Sequence, residues 1–308
     1  MRIVVHGQQA FGKSVLEALA DRGENVVGVY CAPDPAQGGR MDPLKEAALA
    51  RNLPVHQPKS FRNKPEVWEE FGRLKADLCV MAYVTLLVPD EVLNLPTRGT
   101  IQYHPSLLPK HRGPSSINWP IIQGETRTGL TIFWPDRGLD TGPILLQKEV
   151  EIRDTDTLGT LYFDRLYPMG VSALLEAVDM VKAGTAPKIV QDESQATYEG
   201  WCKAEHVQVD WSKPLQEVWN TIRGGDPQPG AWTTHAGTTV QLFDAKKVPG
   251  AGGGQPGQVM AVDDAGMTVA ANGGQIVVGR ARAEGGQKVA AKAFAAAAGV
   301  TAGAILGR

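Results

Sequence analysis

Three short apolar runs separated by helix-spaced apolar residues constrain the first half of this chain more than any other feature. The runs are Ile3-Val4-Val5, Asn25-Val26-Val27-Gly28-Val29-Tyr30 and Asp77-Leu78-Cys79-Val80-Met81. Unbroken apolar runs of this length mark strands covered on both faces, and so a parallel sheet. Between them Phe11, Val15, Leu16 and Leu19 recur at helical spacing before Gly23, and Val67, Trp68, Phe71 and Leu74 do so before the third run. This order predicts an α/β fold with a doubly wound, mostly parallel sheet, whose ligands sit beyond the carboxyl ends of the strands. Further strands are expected at 100–104, 129–134 and 144–150, with a helical stretch from Thr157 to Lys182 interrupted at Pro168.

The texture changes near residue 200. One helix carries Leu215, Val218, Trp219 and Ile222 on a single face, and short strands follow near 239–244, 257–262, 266–271 and 275–281. The turns Asp264-Ala265-Gly266 and Asn272-Gly273-Gly274 suit hairpins, and the glycine-rich 249–258 reads as a loop. The expected organisation is a domain at 1–203 and a smaller β-rich, barrel-like domain at 204–308, ending in an alanine-rich helix.

With 308 residues the chain has room for two such cores. Its 31 Lys+Arg against 33 Asp+Glu provide no bulk positive field for phosphate backbones, which disfavours nucleic acid as the principal partner. Cys31, Cys79 and Cys202 are far apart and form no CxxC pair, as expected of reduced thiols in a cytoplasm. The start MRIVVHGQQ lacks a signal-peptide core and no run reaches membrane-spanning length, so a soluble, unexported protein is expected.

Three motifs could carry chemistry. Gly7-Gln8-Gln9-Ala10-Phe11-Gly12-Lys13-Ser14 matches the spacing of a phosphate-binding loop, in which backbone amides hold phosphates, the lysine meets the terminal charge and the serine binds magnesium. Against it stands the plain reading of a strand-to-helix turn, because the apolar strand that should end in a magnesium-binding Asp, Leu130 to Asp136, is broken by Pro135. The second motif is Ile101 to Gly113, where Gln102 and His104 lie two apart on a strand and so share a face. A lone histidine is by default a satisfied core or loop residue, and His111, seven residues on, is not spaced for a zinc pair. The third is Asp136-Arg137-Gly138-Leu139-Asp140-Thr141-Gly142, a tight loop presenting Asp140 at the end of an apolar strand; its plain alternative is an exposed turn. A strand-end carboxylate beside a strand-end imidazole is what general acid-base chemistry requires.

HPSLLPKHRG together with DRGLDTG resembles the signature of enzymes that use 10-formyltetrahydrofolate. That group contains glycinamide ribonucleotide formyltransferase, methionyl-tRNA formyltransferase and the hydrolase domain of 10-formyltetrahydrofolate dehydrogenase. QKEVEI, ATYEGWCKAE, VDWSKPLQEVWNTIRG and PGAW are similar to that hydrolase domain in order, so the resemblance spans nearly the whole chain. It implies a Rossmann-like formyltransferase fold with an OB-like C-terminal domain, and a Gly7–Gly12 turn that is structural. It also implies that His104 polarises the formyl oxygen of 10-formyltetrahydrofolate, the formyl donor, while Asp140 orients His104 and activates the nucleophile. Leu86, Leu87, Val88 and Pro89 would border the pterin, and Asp136, Gly138, Leu139 and Gly142 would form the other wall. Ser106 and Gly113 would contact substrate; Ser116 and Asn118 lie just beyond and serve either substrate or local capping. No metal is implied. Gln102 departs from the pattern: transferases commonly carry Asn there and the hydrolase domain Ile, yet Gln keeps an amide donor on a longer stem.

The expected activity is removal of the formyl group to give tetrahydrofolate, by hydrolysis or by transfer to an amine. Two alternatives stand beside it: a methionyl-tRNA formyltransferase, and a non-catalytic folate- or nucleotide-binding protein. The tRNA enzymes carry a basic insertion after the second strand, whereas 33–43 here holds a single Arg40, which argues against tRNA; Lys246, Lys247, Arg280, Arg282, Lys288 and Lys292 still offer a modest patch. Carrier and aldehyde-dehydrogenase domains do not fit in 308 residues, so water is the default acceptor. The residues fix no oligomeric state.

Overall fold

The computed structural model describes residues 1–35, 39–250 and 253–307; parts of the 33–43 stretch and of the glycine-rich loop singled out above lie outside the described residues. Along the chain run β1 (Arg2–Gly7), α1 (Gln9–Asp21), β2 (Asn25–Tyr30), α2 (Pro43–Ala50), β3 (Val55–His56), α3 (Pro65–Arg73), β4 (Leu78–Ala82), α4 (Asp90–Leu93), β5 (Thr100–His104), α5 (Asn118–Ile122), β6 (Arg127–Phe133), β7 (Ile144–Glu151), α6 (Leu158–Leu161) and α7 (Tyr167–Ala183). Then follow α8 (Leu215–Gly224), β8 (Trp232–His235), β9 (Thr238–Pro249), β10 (Val259–Asp263), β11 (Gly266–Ala271), β12 (Gly274–Ala283), β13 (Val289–Ala290) and α9 (Ala291–Ala298).

Among the described residues, β1 to β7 form one seven-stranded sheet in the order β3-β2-β1-β4-β5-β6-β7. The order reverses between β1 and β4, so the strand ends there open a crevice. Pairing is parallel from β3 through β5, and β6 runs antiparallel to β5 with Gln102 opposite Phe133 and His104 opposite Thr131. β4 is buried at every residue and β1 at every residue after Arg2, which is why neither shows alternation in sequence. In α1, Phe11, Val15, Leu16 and Leu19 face the core, each such side chain contributing about 1.5–3 kcal/mol on burial. The helical stretch expected at 157–182 is broken, but not by Pro168: a wide turn at Tyr162–Leu166 separates α6 from α7, and Pro168 sits in the first turn of α7, where its missing N–H costs nothing.

The chain divides into two compact units, one of residues 1–113, 129–150 and 165–198, the other of 114–128, 151–164 and 199–308. In the second unit the antiparallel order is β10-β11-β12-β9-β8, with β13 beside β12. The turns at 264–265 and 272–273 join β10 to β11 and β11 to β12 as the sequence indicated, and α8 buries Leu215, Val218, Trp219 and Ile222. Asn118 belongs to this unit: its amide donates to the carbonyls of Gly224 (2.8 Å) and Gln228 (2.9 Å), which is the local, structural role. Among the described residues no helix is long and apolar enough to cross a membrane.

Candidate functional site

β5 ends at His104, and the chain then reverses through a segment pinned by side chains of the neighbouring strands. The Thr131 hydroxyl on β6 donates to the Ser106 carbonyl (2.7 Å) and accepts from the Leu108 amide (3.1 Å), while Gln147 on β7 donates to the Leu108 carbonyl (2.8 Å). This returns His111 to the imidazole it follows: His104 Nε2 lies 2.8 Å from the His111 carbonyl oxygen. A carbonyl only accepts, so Nε2 carries the proton and Nδ1 is the ring atom left for chemistry. His104 Nδ1 stands 3.6 Å from Asp140 Oδ2, ion-pair range rather than a good hydrogen bond. Both groups are buried, at 6% and 7% exposure.

Asp140 owes its place to its own loop and to Gly113. The Gly113 amide donates to Asp140 Oδ2 (2.8 Å), and Gly113 holds a φ of +94°, which a side chain there would oppose. Asp140 itself has a φ of +57°, uncommon for a residue other than glycine. Within the loop, Asp136 accepts from the Gly138 amide (3.0 Å) and the Thr141 hydroxyl (2.6 Å). Gly142 packs so closely that an added Cβ would lie 1.8 Å from the Trp134 carbonyl oxygen.

Beside this corner opens a small, partly open cleft. Leu86, Leu87 and Val88 form one side, Asp136, Gly138, Leu139 and Asp140 the other, and Gln102 lies among the lining residues with Met81 and Phe133. Asp140 thus belongs to both the cleft and the His104 corner. In the same loop, the exposed Arg137 pairs with Asp90 of α4.

Several expected residues stand outside the cleft. Pro89 caps α4, accepting from the Val92 (2.9 Å) and Leu93 (3.0 Å) amides. Ser106 is fully buried and donates to the Lys110 carbonyl (2.6 Å). Gly113 and Gly142 act through backbone groups on Asp140 and its loop. The phosphate-loop spacing at β1 is used up by the fold: both Asp42 oxygens accept from the Gln9 amide (2.9 Å each), Lys13 pairs with Glu17, and Tyr167 donates to the Ala10 carbonyl (2.6 Å), so Ser14, 2.7 Å from the Tyr167 oxygen, is the donor to it. Among the described residues no group of three or more His, Cys, Asp or Glu could hold a metal ion.

Sequence reasoning missed the outer supports. Gln191 donates to the carbonyls of Asp140 (2.9 Å) and Gly142 (2.7 Å) and accepts from Arg112 Nη2 (2.8 Å). Arg112 also pairs with Glu193, holding that carboxyl below the usual carboxylate range through its hydrogen bonds. The His111 amide donates to the Thr197 hydroxyl (2.8 Å). His111, weighed only as a metal ligand, acts through its backbone, which no residue pattern announces.

The chain is 43% identical over 249 residues to mouse cytosolic 10-formyltetrahydrofolate dehydrogenase, covering 80% of this chain but only 27% of that protein. It is 37% identical over 309 residues to methionyl-tRNA formyltransferase of Trichlorobacter lovleyi, covering 99% of this chain and 96% of the relative. In fold it resembles HypX of Aquifex aeolicus, solved in complex with tetrahydrofolic acid, with a TM-score of 0.72 at 20% identity over 96% of this chain and 47% of that one. Residues 1–178 match the formyl transferase family and 202–299 its C-terminal domain. The buried His104 at the end of β5 and Asp140 in the loop after β6 therefore lie in a chain that belongs to the formyl transferase family.

Proposed function

We propose that this chain removes the formyl group of 10-formyltetrahydrofolate, giving tetrahydrofolate, with water or an amine taking the group. The observation that carries this reading is the 3.6 Å approach of His104 Nδ1 to Asp140 Oδ2 beside an apolar cleft lined by Gln102. In this reading the flat heterocycle of the donor lies between Leu86–Val88 and the 136–140 loop, the apolar walls covering its faces. The nucleophile attacks the formyl carbon and its proton passes to His104 Nδ1. The Gln102 amide N–H meets the developing oxyanion, a term worth about 2.7–4 kcal/mol per donor. The Asp140 carboxylate offsets the charge of the imidazolium, which then returns the proton to the folate nitrogen as the carbon–nitrogen bond breaks. With water the products are tetrahydrofolate and formate; with an amine they are tetrahydrofolate and a formamide.

Formyl transfer to methionyl-tRNA is a second reading, favoured by the relative matched over nearly its whole length. The balanced charge and the lone Arg40 in 33–43 weigh against it. Product analysis separates the two. Incubation with 10-formyltetrahydrofolate, alone, with a small-amine extract and with methionyl-tRNA, is expected to release tetrahydrofolate with free formate or a small N-formyl compound. Formylated methionyl-tRNA as the sole product overturns the first reading in favour of the second.

A further inference from the structure

We propose that Gln191–Tyr198, a segment lying between the two family-matched regions, is a strap that positions both reactive side chains without touching the cleft. The inference rests on the proposed reaction at His104 and Asp140. Gln191 is buried, and its amide is fully committed: Nε2 donates to the carbonyls of Asp140 and Gly142, and Oε1 accepts from Arg112 Nε (3.2 Å) and Nη2 (2.8 Å). Because the guanidinium only donates, the amide cannot flip, and its two N–H groups must face the Asp140 loop. Thr197 makes the matching contacts on the other side. Its hydroxyl accepts from the His111 amide (2.8 Å), its carbonyl from the Arg112 amide (3.0 Å), and its own amide donates to the Pro109 carbonyl (3.2 Å).

The two residues thus held are strained in the same way. Asp140 has a φ of +57° and His111 a φ of +54°, a region uncommon for residues other than glycine. His111 is the residue whose carbonyl orients His104, and Asp140 is the residue whose carboxylate faces it. One short segment therefore sets the separation between imidazole and carboxylate. Displacement of reacting groups by about 1 Å can cost about a hundredfold in rate, so the strap governs turnover more than binding.

The test compares Gln191→Ala, Thr197→Val and Thr197→Ser with the parent chain, using Val190→Ala, on an 83%-exposed side chain, as control. Expected are losses in kcat of about tenfold to a hundredfold for Gln191→Ala and Thr197→Val with KM within about threefold, near-parental kcat for Thr197→Ser, and no change for the control. Unchanged kcat, a loss confined to KM, or Thr197→Ser as impaired as Thr197→Val overturns the strap. If Gln191→Ala does not fold, the isosteric Thr197 pair decides. A parent chain inert toward 10-formyltetrahydrofolate overturns the proposed function instead. Amide exchange over 136–142 then decides the strap: about tenfold faster exchange in Gln191→Ala supports it, and unchanged exchange overturns it.

Discussion

The turn after β1 and the loops after β5 and β6 both present motif-like spacing at strand ends, yet they differ in what the fold leaves free. After β1, the Gln9 amide, the Ser14 hydroxyl and Lys13 all have partners within the protein, and His6 is sealed against the rings of Tyr30 and Phe61. After β5 and β6, backbone groups hold His104 Nε2 and Asp140 Oδ2, while His104 Nδ1 faces the Asp140 carboxylate at 3.6 Å. Consumed polar groups make structure; polar groups held rigidly but left short of a partner can do chemistry.

The sharpest way to break this contrast is Asp140→Asn, which keeps the shape and the acceptor for the Gly113 amide but removes the charge. It should lower kcat by about 10² or more with folate binding nearly unchanged, checked by steady-state kinetics and ligand titration. Gly142→Ala should be damaging through packing, since its Cβ meets the Trp134 carbonyl: about 1–3 kcal/mol of stability, read by denaturant unfolding, with turnover falling as Asp140 shifts. At the β1 end the consequence is acid sensitivity. Burial pushes His6 down to about 3 from 6.5, so the unfolded chain takes up a proton that the folded chain refuses between those values. Unfolding free energy should fall as pH drops from about 6.5 toward about 3, and His6→Phe should flatten that part of the profile. The smallest effect belongs to Ser14→Ala, which loses one hydrogen bond, about 1 kcal/mol in thermal unfolding, with unaltered turnover; ATP with magnesium should leave the melting temperature of the parent chain where it was.

What could be read beforehand follows the same physics. Side-chain patterns announced β1, β2 and β4, because strands buried on both faces of a parallel sheet are mostly apolar, and β5 also falls on the expected residues. β3 and β8, two and four residues long, are too short to carry a period. In the site, Gln102, Leu86 to Val88, Asp136, Gly138, Leu139 and Asp140 line the cleft. Ser106 looked like a substrate contact because a hydroxyl inside a signature does, yet its hydrogen bond closes the loop. Gln191 gave no signal at all: it reaches Asp140 from 51 residues away, through backbone carbonyls that every residue possesses.

The central claim is that the imidazole of His104 is where the formyl group is released. A single-turnover experiment on parent and His104→Ala chains, with donor binding measured in the same samples, tests it directly. The parent should convert bound 10-formyltetrahydrofolate to tetrahydrofolate, and the variant should bind the donor with affinity within about threefold while converting it at least about a hundredfold more slowly. Equal rates in the two chains would contradict the claim.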